Sequence, residues 1–183
     1  PVDDASVEPA ETVLLTLGGL AAVATPGVAT LTIFDNDAAA LNVDVSGGVA
    51  VQETGPTSDS FTVAAATIPT ADVSIPVTTD AQCVVIAPFA GSAGTVTLRA
   101  GSTAPVTVTV QAVDDAAVEA LTHPCLVTLG AASSADPAYA GLDAADVSVT
   151  VTDNDLPPGG GGGAASVSAS AGSAGDSGSC VDP

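Results

Sequence analysis

The stretch Val147-Ser148-Val149-Thr150-Val151-Thr152-Asp153-Asn154-Asp155 decides the fold. Its valines recur at every second residue with serine or threonine between them, and an extended strand places such a set on one face. The same alternation runs through Val106, Val108 and Val110 against Thr107 and Thr109. Further β-like runs lie at Leu41 to Val51, Ser60 to Ala66, Asp72 to Thr79, Cys83 to Ala87, Thr95 to Arg99 and Cys125 to Gly130. No segment carries a convincing apolar stripe of helical period. Seven or eight short strands, split by Gly, Pro, Asp and Thr, predict an all-β fold: an antiparallel immunoglobulin-like β-sandwich.

Outward from that stretch the chain repeats itself. Val2-Asp3-Asp4-Ala5-Ser6-Val7-Glu8 recurs as Val113-Asp114-Asp115-Ala116-Ala117-Val118-Glu119, and each copy is followed by a run ending Thr-Leu-Gly, at Thr16-Leu17-Gly18 and Thr128-Leu129-Gly130. Each half then closes on Asp-Asn-Asp, at Asp35-Asn36-Asp37 and Asp153-Asn154-Asp155. Residues 1–37 therefore read as the C-terminal part of one module and residues 38–155 as a whole one. From Leu156 the composition shifts to Pro157-Pro158, five glycines and then Ala, Ser and Gly, the makeup of a disordered linker or tail. The chain opens on Pro1-Val2-Asp3-Asp4 without a charged n-region and apolar h-region, and it is read as a segment of a longer protein.

Composition narrows the function. The 183 residues carry 21 acidic side chains against a single Lys or Arg, a formal net charge of −20. Nucleic acid and anionic membrane surfaces need clustered cations, so neither is an expected partner. No stretch reads as a membrane span, since the uncharged run from Thr12 to Phe34 alternates apolar with polar residues. No nucleophile elbow, phosphate loop or His/Glu metal motif appears, and the chain is expected not to be an enzyme.

With almost no basic partners available, the acids must sit apart in solvent, stay protonated or share cations. Residues i and i+2 of a strand point to one side, so Asp153 and Asp155 present two carboxylates to one place, as do Asp35 and Asp37. A hard divalent cation between them relieves the repulsion, and Ca²⁺ takes 6–8 oxygen ligands at about 2.3–2.6 Å. Asp114, Asp115 and Glu119 follow the strand that ends at Val113, and in a sandwich they can meet the terminal pair at one pole. The competing reading is that Asp-Asn-Asp is a solvated turn.

Taken together, a strand ending Val-Asp-Asp, a Glu a few residues on, a strand ending Thr-Leu-Gly and a last strand closing on Asp-Asn-Asp resemble the Calx-beta family. The resemblance implies a calcium-binding sandwich of the kind found in sodium/calcium exchangers and in long adhesive or matrix proteins. It implies Ca²⁺ ligands at Glu53, Asp114, Asp115, Glu119, Asp153 and Asp155, with Asp80 a poorer match, and at Asp3, Asp4, Glu8, Asp35 and Asp37 of the first module. It also implies an extracellular or cell-surface setting in adhesion or cell communication, with neighbouring modules and other surface or matrix proteins as partners. Calcium would then stiffen the junction near Asp37. The second module departs from the family pattern after Glu119, where Ala120-Leu121-Thr122-His123-Pro124 lacks the carboxylate that Glu11 supplies in the first. Affinity is thereby expected to fall towards roughly 10⁻⁴–10⁻³ M, the range of extracellular modules.

Several residues have plainer expectations. His123, next to Pro124, reads as an exposed loop residue rather than a metal ligand, since no second His accompanies it and the three cysteines lack the CxxC spacing of a zinc site that would include it. Cys83 and Cys125 fall on separate predicted strands, where a disulfide would cross-link a secreted sandwich if their Cα separation allows it. Cys180 is open between a further module, a free thiol and an intermolecular bond. Tyr139 and Leu142 are expected to anchor the long loop before the last strand by packing. Two rival functions remain open at this point: a cation-independent spacer or stalk, and an acidic accessory region of a halophilic secreted enzyme.

Overall fold

The computed structural model describes residues 4–17 and 27–156. The tail expected from residue 156 onward, Leu156 aside, lies outside the described residues, as do Asp3 and Cys180. The fold is all-β, with no helix among the described residues. A separate antiparallel hairpin comes first, β1 (Glu11–Leu17) with β2 (Gly27–Ile33). The next ten strands are β3 (Leu41–Asp44), β4 (Val49–Gln52), β5 (Ser58–Ala65), β6 (Val73–Thr79), β7 (Cys83–Ala87), β8 (Ala93–Leu98), β9 (Val106–Ala112), β10 (Thr122–Leu129), β11 (Ser133–Ser134) and β12 (Val147–Thr152). One sheet runs β3-β5-β9-β7, and the other runs β11-β6-β10-β12-β4 with β8 also paired to β6.

The valine periodicity builds the core between these sheets. Val108 and Val110 of β9 face Val147, Val149 and Val151 of β12 across a layer completed by Phe61, Val63, Ile75, Val77, Val96, Leu98, Val127 and Leu129, all buried. With no Trp or Met in the chain, β-branched side chains fill this layer. Their restricted χ1 suits the pleated surface on which they pack.

Two features depart from the expected strand pattern, and both shape the pole where the acids gather. The run from Leu41 to Val51 is not one strand, because Gly47 and Gly48 adopt φ of 88° and 81°, which side-chain-bearing residues rarely reach. The chain turns there, and β3 joins one sheet while β4 joins the other, pairing in parallel with β12. All other pairings are antiparallel. The second departure is β10, which begins at Thr122 and therefore includes His123 and Pro124. Proline is tolerated there because β10 pairs with β6 only over Val127–Leu129, so at Pro124 its second edge is open and no ladder N–H is needed.

The sheets are joined covalently as well as by packing. Cys83 of β7 and Cys125 of β10 form a disulfide with a Cα separation of 6.0 Å, linking one sheet to the other. The long loop before β12 is pinned by Tyr139, which is fully buried. Its hydroxyl donates to the carbonyl of Thr67 at 2.7 Å and accepts from the Thr67 N–H at 3.0 Å. The hairpin β1–β2 is different in kind: Leu14, Leu15 and Leu31 are exposed, as is Phe34 just after it, to 77%.

Candidate metal centre

Parallel pairing of β4 with β12 determines where Glu53 goes. The ladder extends one residue beyond the strands, through the Glu53 N–H donating to the Thr152 carbonyl at 3.1 Å, so Glu53 is delivered beside Asp153. Glu53 is fully buried, its Oε2 accepts a long bond from the Asn154 N–H at 3.4 Å, and its carboxyl lies within hydrogen-bonding reach of Asp153. Asp153 is also buried, and its two oxygens accept backbone N–H groups, Oδ2 from Glu119 at 2.9 Å and Oδ1 from Asp155 at 2.8 Å. Those bonds clamp the segment after β9 onto the end of β12. Ligand-type oxygens of Glu53, Asp153 and Asp155 all lie within 4.8 Å of one another.

Glu119 is reached from another side. Gln82, in the turn between β6 and β7, donates its amide Nε2 to Glu119 Oε1 at 2.6 Å. Glu119 Oε2 lies 3.3 Å from His123 Nε2, within ion-pair distance, without a hydrogen bond between them. The His123 side chain is only 13% exposed. This corrects the expectation of an exposed loop residue, for the reason that β10 starts three residues earlier than the sequence run implies.

The electrostatics of the group are divided. Burial pushes the Glu53 carboxyl up from its ordinary value, and the charges of Asp153 and Glu119 add to the rise. Burial likewise raises Asp155, helped by the charges of Asp153, Asp114 and Asp115. The backbone N–H groups of Asp155 and Glu119 instead hold Asp153 below the ordinary carboxylate value. A raised acid is stabilising below its unfolded pKa and costs stability as pH rises through its folded one. At neutral pH the ionised Glu53 and Asp155 therefore oppose folding unless a cation lies among them.

Five buried side-chain atoms have no hydrogen-bond partner among the described residues: Glu53 Oε1, Gln82 Oε1, Glu119 Oε2, His123 Nε2 and Asp155 Oδ2. All five belong to this one cluster. Two of them, Glu119 Oε2 and His123 Nε2, face each other at 3.3 Å, and the other three are carboxylate or amide oxygens; a buried polar atom left unpaired costs about 1–3 kcal/mol, so their gathering at one place marks it as a candidate ligand site. Four of the five are oxygens, which is the donor chemistry that hard divalent cations take.

The other predicted ligands are placed as follows. Asp114 and Asp115 are exposed at the rim, where Asp114 Oδ1 accepts from the Asn154 side-chain amide at 3.2 Å and Asp115 Oδ1 accepts from the Ala117 N–H at 2.6 Å. Asp80 is not drawn into the cluster. It accepts from the N–H groups of Gln82 at 3.0 Å and Leu126 at 2.8 Å, and so fixes the turn that carries Gln82 inward. The first repeat reproduces the same clamps: Asp35 Oδ2 accepts from the Glu8 N–H at 2.8 Å, Asp35 Oδ1 from Asp37 at 3.2 Å, and Asp4 Oδ1 from Ser6 at 2.8 Å. Glu8 and Asp4 are exposed, and no counterpart of Glu53 approaches them among the described residues.

Gln82 and His123 are the two participants that sequence reasoning missed. A register signal for His123 was present. Glu11 pairs with Ile33, two residues before Asp35, and His123 pairs with Val151, two residues before Asp153. The imidazole thus occupies the register position of Glu11, displaced by one residue of extra spacing from the preceding glutamate.

No family model matches the chain, and no curated protein matches it. Among solved structures the chain is similar to one described as the apo form of the Calx CBD1 domain, with 16% identity, a TM-score of 0.44, and coverage of 63% of this chain and 98% of that one.

Proposed function

We propose that the module formed by residues 38–155 is a non-catalytic divalent-cation-binding β-sandwich, and that calcium is its ion. Glu53, Glu119, Asp153 and Asp155 would hold the ion, Gln82 Oε1 could add a neutral oxygen, and Asp114 and Asp115 would supply negative potential at the rim. The observation that carries this reading is the convergence of the unpartnered buried atoms, with the fully buried Glu53 at their centre. The only arginine of the chain offers no relief to the cluster, since Arg99 pairs with Asp72 at 2.8 Å, at the far end of β6 from Asp80.

The biological setting that fits is a repeat of an extracellular or cell-surface protein active in adhesion, matrix or cell communication. Millimolar calcium fills even a weak site there, and the disulfide between the sheets is of the kind that persists in oxidising surroundings. The Asp35 and Asp153 clamps suggest a common role, in which cation binding stiffens the end of each module and hence its junction with the next. The test is a thermal melt of the full chain at fixed ionic strength with calcium, with magnesium and with chelator. A calcium-selective rise supports the reading. Equal melting temperatures in all three would leave a cation-independent spacer, and a rise with monovalent salt alone would favour an acidic salt-adapted region.

A further inference from the structure

Glu53 belongs to two trios at this pole. One is the all-oxygen set with Asp153 and Asp155, and the other joins Glu53 to Glu119 and His123, again with ligand-type atoms within 4.8 Å of one another. Every member of the second trio contributes a buried atom without a hydrogen-bond partner: Glu53 Oε1, Glu119 Oε2 and His123 Nε2. The imidazole is oriented by its other nitrogen, since His123 Nδ1 lies 3.3 Å from the Ala120 carbonyl. A proton on Nδ1 donated to that carbonyl leaves the Nε2 lone pair facing Glu119 Oε2. This is the arrangement by which metal-ligating histidines are held, with the second N–H anchored on a carbonyl or carboxylate. Glu119 is anchored in the same manner by Gln82 at 2.6 Å.

Calcium takes oxygen ligands, and an imidazole adds little to its binding. Neutral imidazole with carboxylates instead suits zinc and related first-row cations, which accept three protein ligands and complete their coordination with water. The first repeat has a carboxylate, Glu11, at the register position of this imidazole. The two repeats therefore differ in ligand type at one equivalent position.

We propose that Glu53, Glu119 and His123 form a second subsite, for a zinc-type divalent cation, beside the all-oxygen calcium subsite and sharing Glu53 with it. This proposal rests on the reading that the acidic pole is a cation site. It adds a nitrogen-containing position with a different ion preference, and it makes the two ions interdependent through one carboxylate.

His123 is the single histidine of the 183-residue chain, so imidazole ¹H–¹⁵N spectroscopy of that chain reports on this position alone. Cys180, the one cysteine outside the disulfide, is replaced by Cys180→Ser to remove a competing thiol. Zinc titrated into metal-free protein is expected to shift the Nε2 resonance saturably at one equivalent. Calcium titrated separately should raise the melting temperature without comparable displacement of Nε2. His123→Gln, with folding checked by its amide spectrum, should lose roughly tenfold or more in zinc affinity. An Nε2 resonance that ignores zinc while calcium still stabilises the protein would overturn the second subsite and leave His123 as a partner of Glu119 only. Zinc binding that leaves Nε2 unmoved would overturn it equally. Failure of both metals to bind would instead overturn the parent reading.

Discussion

Replacing Glu53 by glutamine separates the cost of the buried charge from the benefit of the ion. The amide keeps the shape of the side chain and removes its charge. Because burial and the neighbouring carboxylates raise the Glu53 pKa, its ionised form opposes folding at neutral pH. In chelator, Glu53→Gln is therefore expected to melt above the wild type. In calcium the order should reverse. At about 10 mM Ca²⁺ and a dissociation constant of roughly 10⁻⁴–10⁻³ M, binding to the native state adds about 1.4–2.7 kcal/mol. The roughly 118 residues from 38 to 155 carry an unfolding entropy near 0.25 kcal/mol/K, which converts that gain to a rise of about 6–11 °C. The wild type should show this rise and Glu53→Gln should lose most of it, so that the two melting temperatures cross between chelator and calcium. Differential scanning calorimetry on both proteins reads all four values. A variant that melts at or below the wild type in chelator and keeps the calcium-driven rise would refute the reasoning.

Other outcomes follow from the framework around the site. The disulfide closes a loop of 42 residues, for which chain entropy gives about 4 kcal/mol; a Cys83→Ala, Cys125→Ala variant should melt about 15 °C lower, and a drop of only a few degrees would contradict that assignment. Tyr139→Phe leaves the Thr67 N–H buried and unpaired, at a cost of about 1–3 kcal/mol, and amide exchange at Thr67 should accelerate accordingly. Asp136 is held below its ordinary pKa chiefly by the Thr70 N–H, so its contribution is present above the unfolded value of about 3.9 and is lost as pH falls through the folded one. The stability gap between wild type and Asp136→Asn, read from denaturant titrations, should be widest above about pH 5 and shrink as the solution is acidified below about pH 4.

Much of the architecture was legible because burial imposes period 2 wherever one face of a strand packs inward. Val147, Val149 and Val151 announce β12, and Val106, Val108 and Val110 announce β9. The crossing of the chain between sheets at Gly47-Gly48 was hidden, because apolar alternation resumes on both sides of the turn and only the backbone φ values distinguish two strands from one. The acids of the cluster were legible in part. Asp153 and Asp155 follow from strand parity, but the burial of Glu53 depends on the parallel pairing of β4 with β12, which is a long-range fact. Gln82 was invisible for the same reason. His123 was concealed by Pro124, which reads as a strand breaker unless the adjacent edge of β10 is known to be unpaired.

The most direct measurement is a calorimetric titration of calcium into the metal-free 183-residue chain at fixed ionic strength, repeated with Asp153→Ala, Asp155→Ala. Saturable binding by the wild type, persisting in excess magnesium and abolished in the variant, is the result the geometry of the pole predicts. Weak, unsaturable heat that is the same for both proteins would contradict it.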